Sequence, residues 1–159
     1  MLSQKLKDKQ VQVLVFRIDT HRACFELGKI VQVYDSVSFD NLEVPCKQIT
    51  GTINVRGQEV ALVDLRSRWN LPARPLSLTD QLIVLSCRDT TVSIITDQVL
   101  GTRTYLQKKI FQLADLLPGQ APHKAIAESD GIMVLLDSDK LFNDEMVERF
   151  RQINCQKRK

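Results

Sequence analysis

The side chains of this 159-residue chain that could do chemistry are two aspartates, two histidines and four cysteines. Asp64 and Asp97 could divide general acid and general base work between them. Each closes an apolar run in a different half of the chain, with no histidine nearby in sequence. Aspartate in that position ordinarily caps or turns the backbone. His21 and His123 fall in turn-like segments, which favours solvated side chains over general bases. Cys24, Cys46, Cys87 and Cys155 are widely spaced, so neither a C-x-x-C pair nor a zinc pattern exists. They read as three small buried hydrophobes and one thiol near the C-terminal end. No Ser-His-Asp order and no phosphate-cradling glycine loop appears. The expectation is therefore no catalytic residue, no cofactor site and no metal site.

A different kind of chemistry, recognition of another protein, is suggested by Gly51 to Arg66. This stretch reads as a β-hairpin with an Arg-Gly tip. Ile53 and Val55 alternate with Thr52 and Asn54 on the way up; Val60, Leu62 and Leu65 line the way down, with Val63 on the other side. Gly57 can take a positive φ without steric cost, as a tight hairpin turn requires. The same turn projects Arg56 from the tip. A guanidinium directs several bonds at once to carboxylate or backbone oxygens, which suits an interface. The plainer alternative is a solvated turn residue.

The elements that must carry this tip are mostly strands. Val11 to Ile18, Arg22 to Leu27 and Lys29 to Tyr34 are rich in β-branched and aliphatic residues. Val44-Pro45 marks a break. After the hairpin, Ser67 to Asn70 reads as a short turn, and Leu71 to Thr79, with Pro72 and Pro75, as an exposed linker. Gln81 to Cys87 and Thr91 to Thr96 form a second hairpin, and Val99 to Thr104 another strand. Leu106, Ile110, Leu113 and Leu117 suit one face of a helix, or a loop pinned by those side chains. Lys124 to Glu128 and Ile132 to Leu136 form a last hairpin across Asp130-Gly131. Phe142, Met146, Phe150 and Ile153 then recur at helical spacing, with Asn143 or Asp144 as the cap.

These make ten strands, five on each side of the proline-bearing linker. Short strands joined by hairpins suggest small closed barrels, since closure removes edges. The expected fold class is mainly all-β: two five-stranded SH3-like β-barrel subdomains sharing a hydrophobic core, with a C-terminal helix. The expected layout is a polar tail over 1–10, the double-barrel domain over 11–142, and an amphipathic helix with a basic tail over 143–159.

Composition is that of a soluble globular protein, 43% hydrophobic and 26% charged, with net charge +3. Aromatic content of 6% with one tryptophan argues against a stacking platform for single-stranded nucleic acid. Basic residues cluster only at Arg149, Arg151, Lys157, Arg158 and Lys159. Nucleic-acid domains carry a stronger folded basic face, so a small-barrel nucleic-acid binder is the lesser alternative. The N-terminal ten residues lack an apolar core, and no stretch is long and apolar enough to span a bilayer. A cytoplasmic protein with no direct membrane insertion is expected.

The hairpin tip resembles the Asn-x-Arg-Gly hairpin of the CheW family, the coupling proteins of bacterial chemotaxis-type signalling. Val13-Leu14-Val15-Phe16 resembles that family's first strand, and Ile30-Val31-Gln32-Val33 its Val-x-Glu-Ile segment. Val63-Asp64-Leu65-Arg66 resembles the close of its central signature. Ile94 to Val99 is similar to its Asp-x-Val strand, and Met133 to Asp137, then Leu141, to its closing pattern. The resemblance implies a non-enzymatic adaptor without cofactors. Its implied partners are the regulatory domain of a CheA-type histidine kinase and the cytoplasmic tip of a methyl-accepting chemoreceptor. It implies that Arg56, with Asn54 and Gly57, takes part in coupling. Ile30 and Gln32 would lie on a kinase-facing strand, and Val99 near a receptor-facing groove. Gln32 stands where an acidic residue is common, Ala61 where proline is, and Ala23-Cys24 where an aromatic-small pair is frequent. These departures suggest a divergent member, with a different signalling assembly, such as surface motility or biofilm control, as the alternative setting.

Overall fold

Both faces of the first strand are buried, and that arrangement organises the molecule. The computed structural model describes residues 9–35, 40–41, 48–112 and 123–155. In β1 (Gln10–Ile18) successive side chains point to opposite faces. Leu14, Phe16 and Ile18 enter one core, where Phe16 stacks on Phe25 with ring centroids 5.4 Å apart. Val13 and Val15 enter a second core with Cys24, Ile126, Met133 and Leu135. A strand covered on both sides has to be apolar on both, which explains the near-continuous run in this segment.

The remaining strands are β2 (His21–Glu26), β3 (Ile30–Asp35), β4 (Asp40–Asn41), β5 (Ile49–Val55) and β6 (Gln58–Val63). They are followed by β7 (Gln81–Cys87), β8 (Thr90–Thr96), β9 (Gln98–Leu106), β10 (Ile110–Gln112), β11 (Lys124–Glu128) and β12 (Gly131–Leu136). They form two six-stranded sheets: A, ordered β10-β11-β12-β2-β1-β9, and B, ordered β3-β7-β8-β6-β5-β4. The sheets share a plan. Each is two antiparallel trios joined through one parallel pair, β12 with β2 in sheet A and β8 with β6 in sheet B.

The mainly β architecture in two subdomains around a common core, with one C-terminal helix, is as expected. The shared core draws Phe25 from sheet A, and Ile49, Ala61, Ile83 and Ile94 from sheet B. Three details differ. Each sheet has six strands rather than five, because the short β4 and β10 carry too few residues to show alternation. Neither ladder closes into a barrel; instead the two edge strands of each sheet, β9 and β10 or β3 and β4, follow one another in the chain. The proline-bearing stretch does not separate two halves. It joins β6 to β7 within sheet B, with Leu71 and Leu76 half-buried and Asp80 buried.

The helical spacing around Leu106 and Ile110 resolves into strand, 3-10 turn (Gln107–Lys109) and strand, the loop-like alternative being nearer. Cross-strand pairing decides this: Ile110 lies opposite Ile126, and a helix there would leave β11 without its neighbour. Leu113 and Leu117 fall outside the described residues.

Helix α1 (Asp144–Asn154) caps as the sequence indicates. The Asn143 Oδ1 accepts from the Met146 N–H at 2.8 Å, and Asp144 and Glu145 occupy the positive end of the dipole. Met146, Val147, Phe150 and Ile153 are buried, and α1 lies on β6 and β8 of sheet B. Its last residue, Asn154, plugs into the sheet. Its Oδ1 accepts from the Thr91 N–H and the Thr90 hydroxyl, and its Nδ2 donates to the carbonyls of Glu59 and Thr91.

Phe150 is fully buried and meets Phe142 edge to face at 4.9 Å. Phe150→Ala is expected to destabilise the protein by about 3–5 kcal/mol. Asn143→Ala should cost only about 1 kcal/mol, the value of one cap. Urea unfolding checks both: the midpoints should fall in that order with the slope unchanged.

Candidate functional site

At the end of the β5–β6 hairpin the backbone is bent in a way that only a tight turn demands. Arg56 has φ +53° and Gly57 φ +86°, so both central residues are left-handed. That geometry matches the right-handed twist of the flanking strands. For glycine it is free, but for arginine it costs about 1–2 kcal/mol. Asn54 holds the turn: its Oδ1 accepts the Gly57 N–H at 3.0 Å. Asn54, Arg56 and Gly57 are all exposed, and the Arg56 guanidinium takes no partner among the described residues.

A second arginine of the same backbone type shows the contrast. Arg88, at the tip of the β7–β8 hairpin, has φ +54°. Its side chain is fully engaged within the chain. Its Nη1 donates to Asp144 at 2.7 Å and its Nε to the Asp139 carbonyl at 3.0 Å, while its backbone N–H donates to the Asp139 carboxylate at 2.6 Å. Arg88 ties α1 to sheet B. Arg56 has the same strained backbone without such a return among the described residues.

The other expected site residues lie elsewhere. Ile30 and Val99 are half-buried and pack on the border of the shared core. The Val99 N–H donates to the Gln81 Oε1 at 2.7 Å, and Gln81 also reaches Asp35 at the end of β3. Gln32 is half-buried, with Nε2 3.4 Å from the Val33 carbonyl. The apolar residue that β3 offers to solvent is Val31, 48% exposed, because the register shifts between Ile30 and Gln32. Sequence alternation carried no sign of that bulge.

The largest feature missed in the sequence is an ionic junction. Arg66 and Arg74 each donate Nη2 to the Asp97 Oδ1 at 2.6 Å, and the backbone N–H of Asp19 donates to the Oδ2 at 2.8 Å. Arg74 also makes a two-pronged bond to Asp80, which is 2% exposed. The Asp64 Oδ1 accepts the Arg66 N–H at 2.9 Å, so the two aspartates first weighed as an acid–base pair both serve Arg66. Burial alone would raise the Asp97 pKa; the Asp19 N–H and the Arg66 and Arg74 guanidiniums outweigh it and hold the carboxyl below its ordinary value. The Asp-Leu-Arg and Asp-Gln-Val motifs contain these residues, but nothing in either motif says that they meet.

Two of the thiols, Cys24 and Cys87, are buried. Burial pushes Cys24 up to about 12 and Cys87 to about 11, so neither forms a thiolate near neutral pH. Cys155 is free and exposed, and Cys46 lies outside the described residues. His21 is exposed and stacks on Trp69; His123 is half-buried, with burial and the nearby Arg68 lowering its pKa. No group of three or more potential metal ligands occurs among the described residues.

Three comparisons with known proteins bear on this chain. The family model for the CheW-like domain matches residues 12–146. No curated protein matches the sequence. Among solved structures, the crystal structure of a scaffolding protein, TtCheW from Thermoanaerobacter tengcongensis, superposes with a TM-score of 0.71 at 17% identity. The match covers 81% of this chain and 90% of that one.

Removing the Asp97 carboxylate leaves Arg66, itself 8% exposed, without its charge partner. Asp97→Ala is expected to cost about 3 kcal/mol or more. The sign with pH follows from the lowered pKa. Asp97 contributes its stability above the unfolded value of about 3.9 and loses it as pH falls through the lower folded value. Unfolding free energies measured from pH 7 down to pH 2 should show a shallower acid loss in Asp97→Asn than in wild type.

Proposed function

The chain belongs to the CheW-like domain family, and on that premise we propose that it couples a CheA-type histidine kinase to chemoreceptor tips in the cytoplasm. It is not an enzyme; its family is one of scaffolds. Its work is binding: a rigid two-sheet body presents surfaces that hold other proteins in register. The observation that carries the reading is the Arg56 tip, a guanidinium without a partner among the described residues, held in a strained turn by Asn54 and Gly57. Strain of this kind collects where a binding surface requires a side chain in one place. The proposed docking surface comprises Arg56, Asn54 and Gly57 at the tip, with Ile30 and Gln32 on β3 and Val99 on β9 as a separate face.

The proposed organisation along the chain is a polar segment over 1–10, the coupling domain over 11–142, and the helix with its basic end over 143–159. No helix among the described residues is long and apolar enough to cross a membrane. The nucleic-acid alternative loses support at Arg151, whose guanidinium bonds Asp89 and Glu148 rather than standing free. A different signalling assembly using the same surfaces remains the second setting, favoured by Gln32 in place of the family's common acidic residue.

Two variants separate docking from folding. Arg56→Glu should leave the unfolding midpoint unchanged and weaken binding to the regulatory domain of the cognate CheA-type kinase at least tenfold. Arg56→Gly should weaken binding while raising stability by about 0.5–1 kcal/mol, because it relieves the left-handed strain. Loss of folding in Arg56→Glu would make the residue structural. Absence of wild-type binding to both kinase domain and receptor tip at tens of micromolar, measured by titration calorimetry, would remove the coupling assignment.

A further inference from the structure

Among the described residues every arginine but three reaches a carboxylate; the exceptions are Arg56, Arg68 and Arg149. Arg56 stands in water at its hairpin tip, and Arg149 is half-buried on α1. Arg68 differs from both, because it is exposed and yet lines a hollow. Its guanidinium carbon lies 5.3 Å from the centre of the Phe142 ring, and its Nη2 is 3.4 Å from the neutral Gln48 Oε1. Burial against these groups lowers its pKa. The cation has given up part of its water, and no carboxylate replaces it.

The hollow has a volume of about 170 Å³ and lies between the sheets: Leu65 and Trp69 come from the connection after β6, Val134 and Leu136 from β12, and Leu141 from the turn before α1. The Trp69 indole stacks on the His21 ring at 5.8 Å, which fixes that wall. His123 completes the lining, and its buried Nδ1 has no hydrogen-bond partner among the described residues. Burial and Arg68 lower the His123 pKa, so the imidazole is neutral at pH 7. Asp137 opposes that shift, but it lies outside the lining and accepts the Asp139 N–H at 3.0 Å. No carboxylate lines the hollow, and Arg68 alone sets its charge. The space suits one ring-sized side chain, since a cavity of about 150 Å³ accepts benzene.

We propose that this hollow receives one aromatic or branched aliphatic side chain of a partner protein, with an adjacent carboxylate of the same segment bound by Arg68. The identity of the partner rests on the coupling reading: it is the kinase regulatory domain or the receptor tip. The apolar walls select the side chain, and the guanidinium selects the acid, because its planar fork matches a carboxylate and repels a cation. A partly desolvated pair of opposite charges attracts more strongly than one in open water. None of the lining residues belongs to the Arg56 tip or to the β3 and β9 faces, so this is a further point of contact.

Trp69 is the chain's single tryptophan, so its fluorescence reports on the hollow directly. The probe is the peptide acetyl-Phe-Glu-amide, titrated into the full chain, with a saturable change and a Kd of about 1 mM expected. Acetyl-Phe-Gln-amide, which lacks the charge, and acetyl-Ala-Glu-amide, which lacks the ring, should each bind about tenfold more weakly or worse. Arg68→Gln should weaken the first peptide to the same extent with a nearly unchanged thermal midpoint, since Arg68 is exposed and its side-chain hydrogen bond is long. Val134→Phe, which fills the hollow from β12, should abolish the response. By titration calorimetry, Arg68→Gln should also weaken binding of one of the two partner proteins about fivefold or more. Equal affinity for the Glu and Gln peptides, no response at about 10 mM peptide, or unchanged affinity of Arg68→Gln for both partner proteins overturns the proposal. Binding of 3-phenylpropionate without binding of the peptide also overturns it, since the hollow would then serve a small molecule. If wild type binds neither partner protein, the coupling reading fails, and the peptide titration decides the chemistry of the hollow by itself.

Discussion

Asp97 is the one residue between the last strand of sheet B and the next strand of sheet A, and its carboxylate gathers donors from connections of both sheets. Its carboxylate takes a backbone N–H from the β1–β2 turn on one side and two guanidiniums from the β6–β7 connection on the other. Desolvating a carboxylate is expensive unless several donors replace its water. Here three do, at 2.6 to 2.8 Å, so the cost is offset only when all three elements are in place. The apolar core shared by the sheets supplies the bulk of the attraction but is non-directional. The ionic junction supplies the direction. Gln81 acts beside it, bridging Asp35 of β3 and the backbone of β9.

Among the described residues, four non-glycine positions adopt a left-handed backbone: Asp19, Arg56, Asn70 and Arg88. Three are explained from within. The Asp19 N–H feeds Asp97, Asn70 closes the 3-10 turn after Trp69 by donating its N–H to Ser67, and Arg88 clamps the start of α1. Arg56 is the exception, since the bond that keeps its turn comes from its neighbours, Asn54 and Gly57. The same backbone conformation thus serves structure at three hairpins or caps, and exposure at the fourth.

Much of this was legible in the sequence, and the failures have a common physical origin. Strand positions came from alternation and β-branched content, which are local, and Gln81–Cys87 appears where its apolar run begins and ends. The cap at Asn143 and the buried stripe of α1 were legible for the same reason. The Arg-Gly tip was legible because the turn type restricts its residues. What failed was pairing between distant segments. Alternation cannot say that β12 lies beside β2, that Arg66 finds Asp97, or that Ile110 belongs opposite Ile126. The strand edge bulged at Val31 and the two-residue β4 were equally silent, one because a bulge breaks the period and the other because two residues have none.

The order of the strands has a consequence for how the chain is made. Every strand of sheet B lies between β2 and β9 in sequence, so sheet B is an insertion within sheet A. During synthesis the β1–β2 hairpin leaves the ribosome first, yet its two neighbours, β9 and β12, emerge only after all of sheet B. Until then both edges of a strongly apolar hairpin stand open to wrong partners. Sheet B can complete its ladder in the meantime, giving that hairpin a ready-made apolar surface to rest on. The insertion thereby sets a vectorial assembly sequence, inner sheet before outer, that the finished molecule no longer displays.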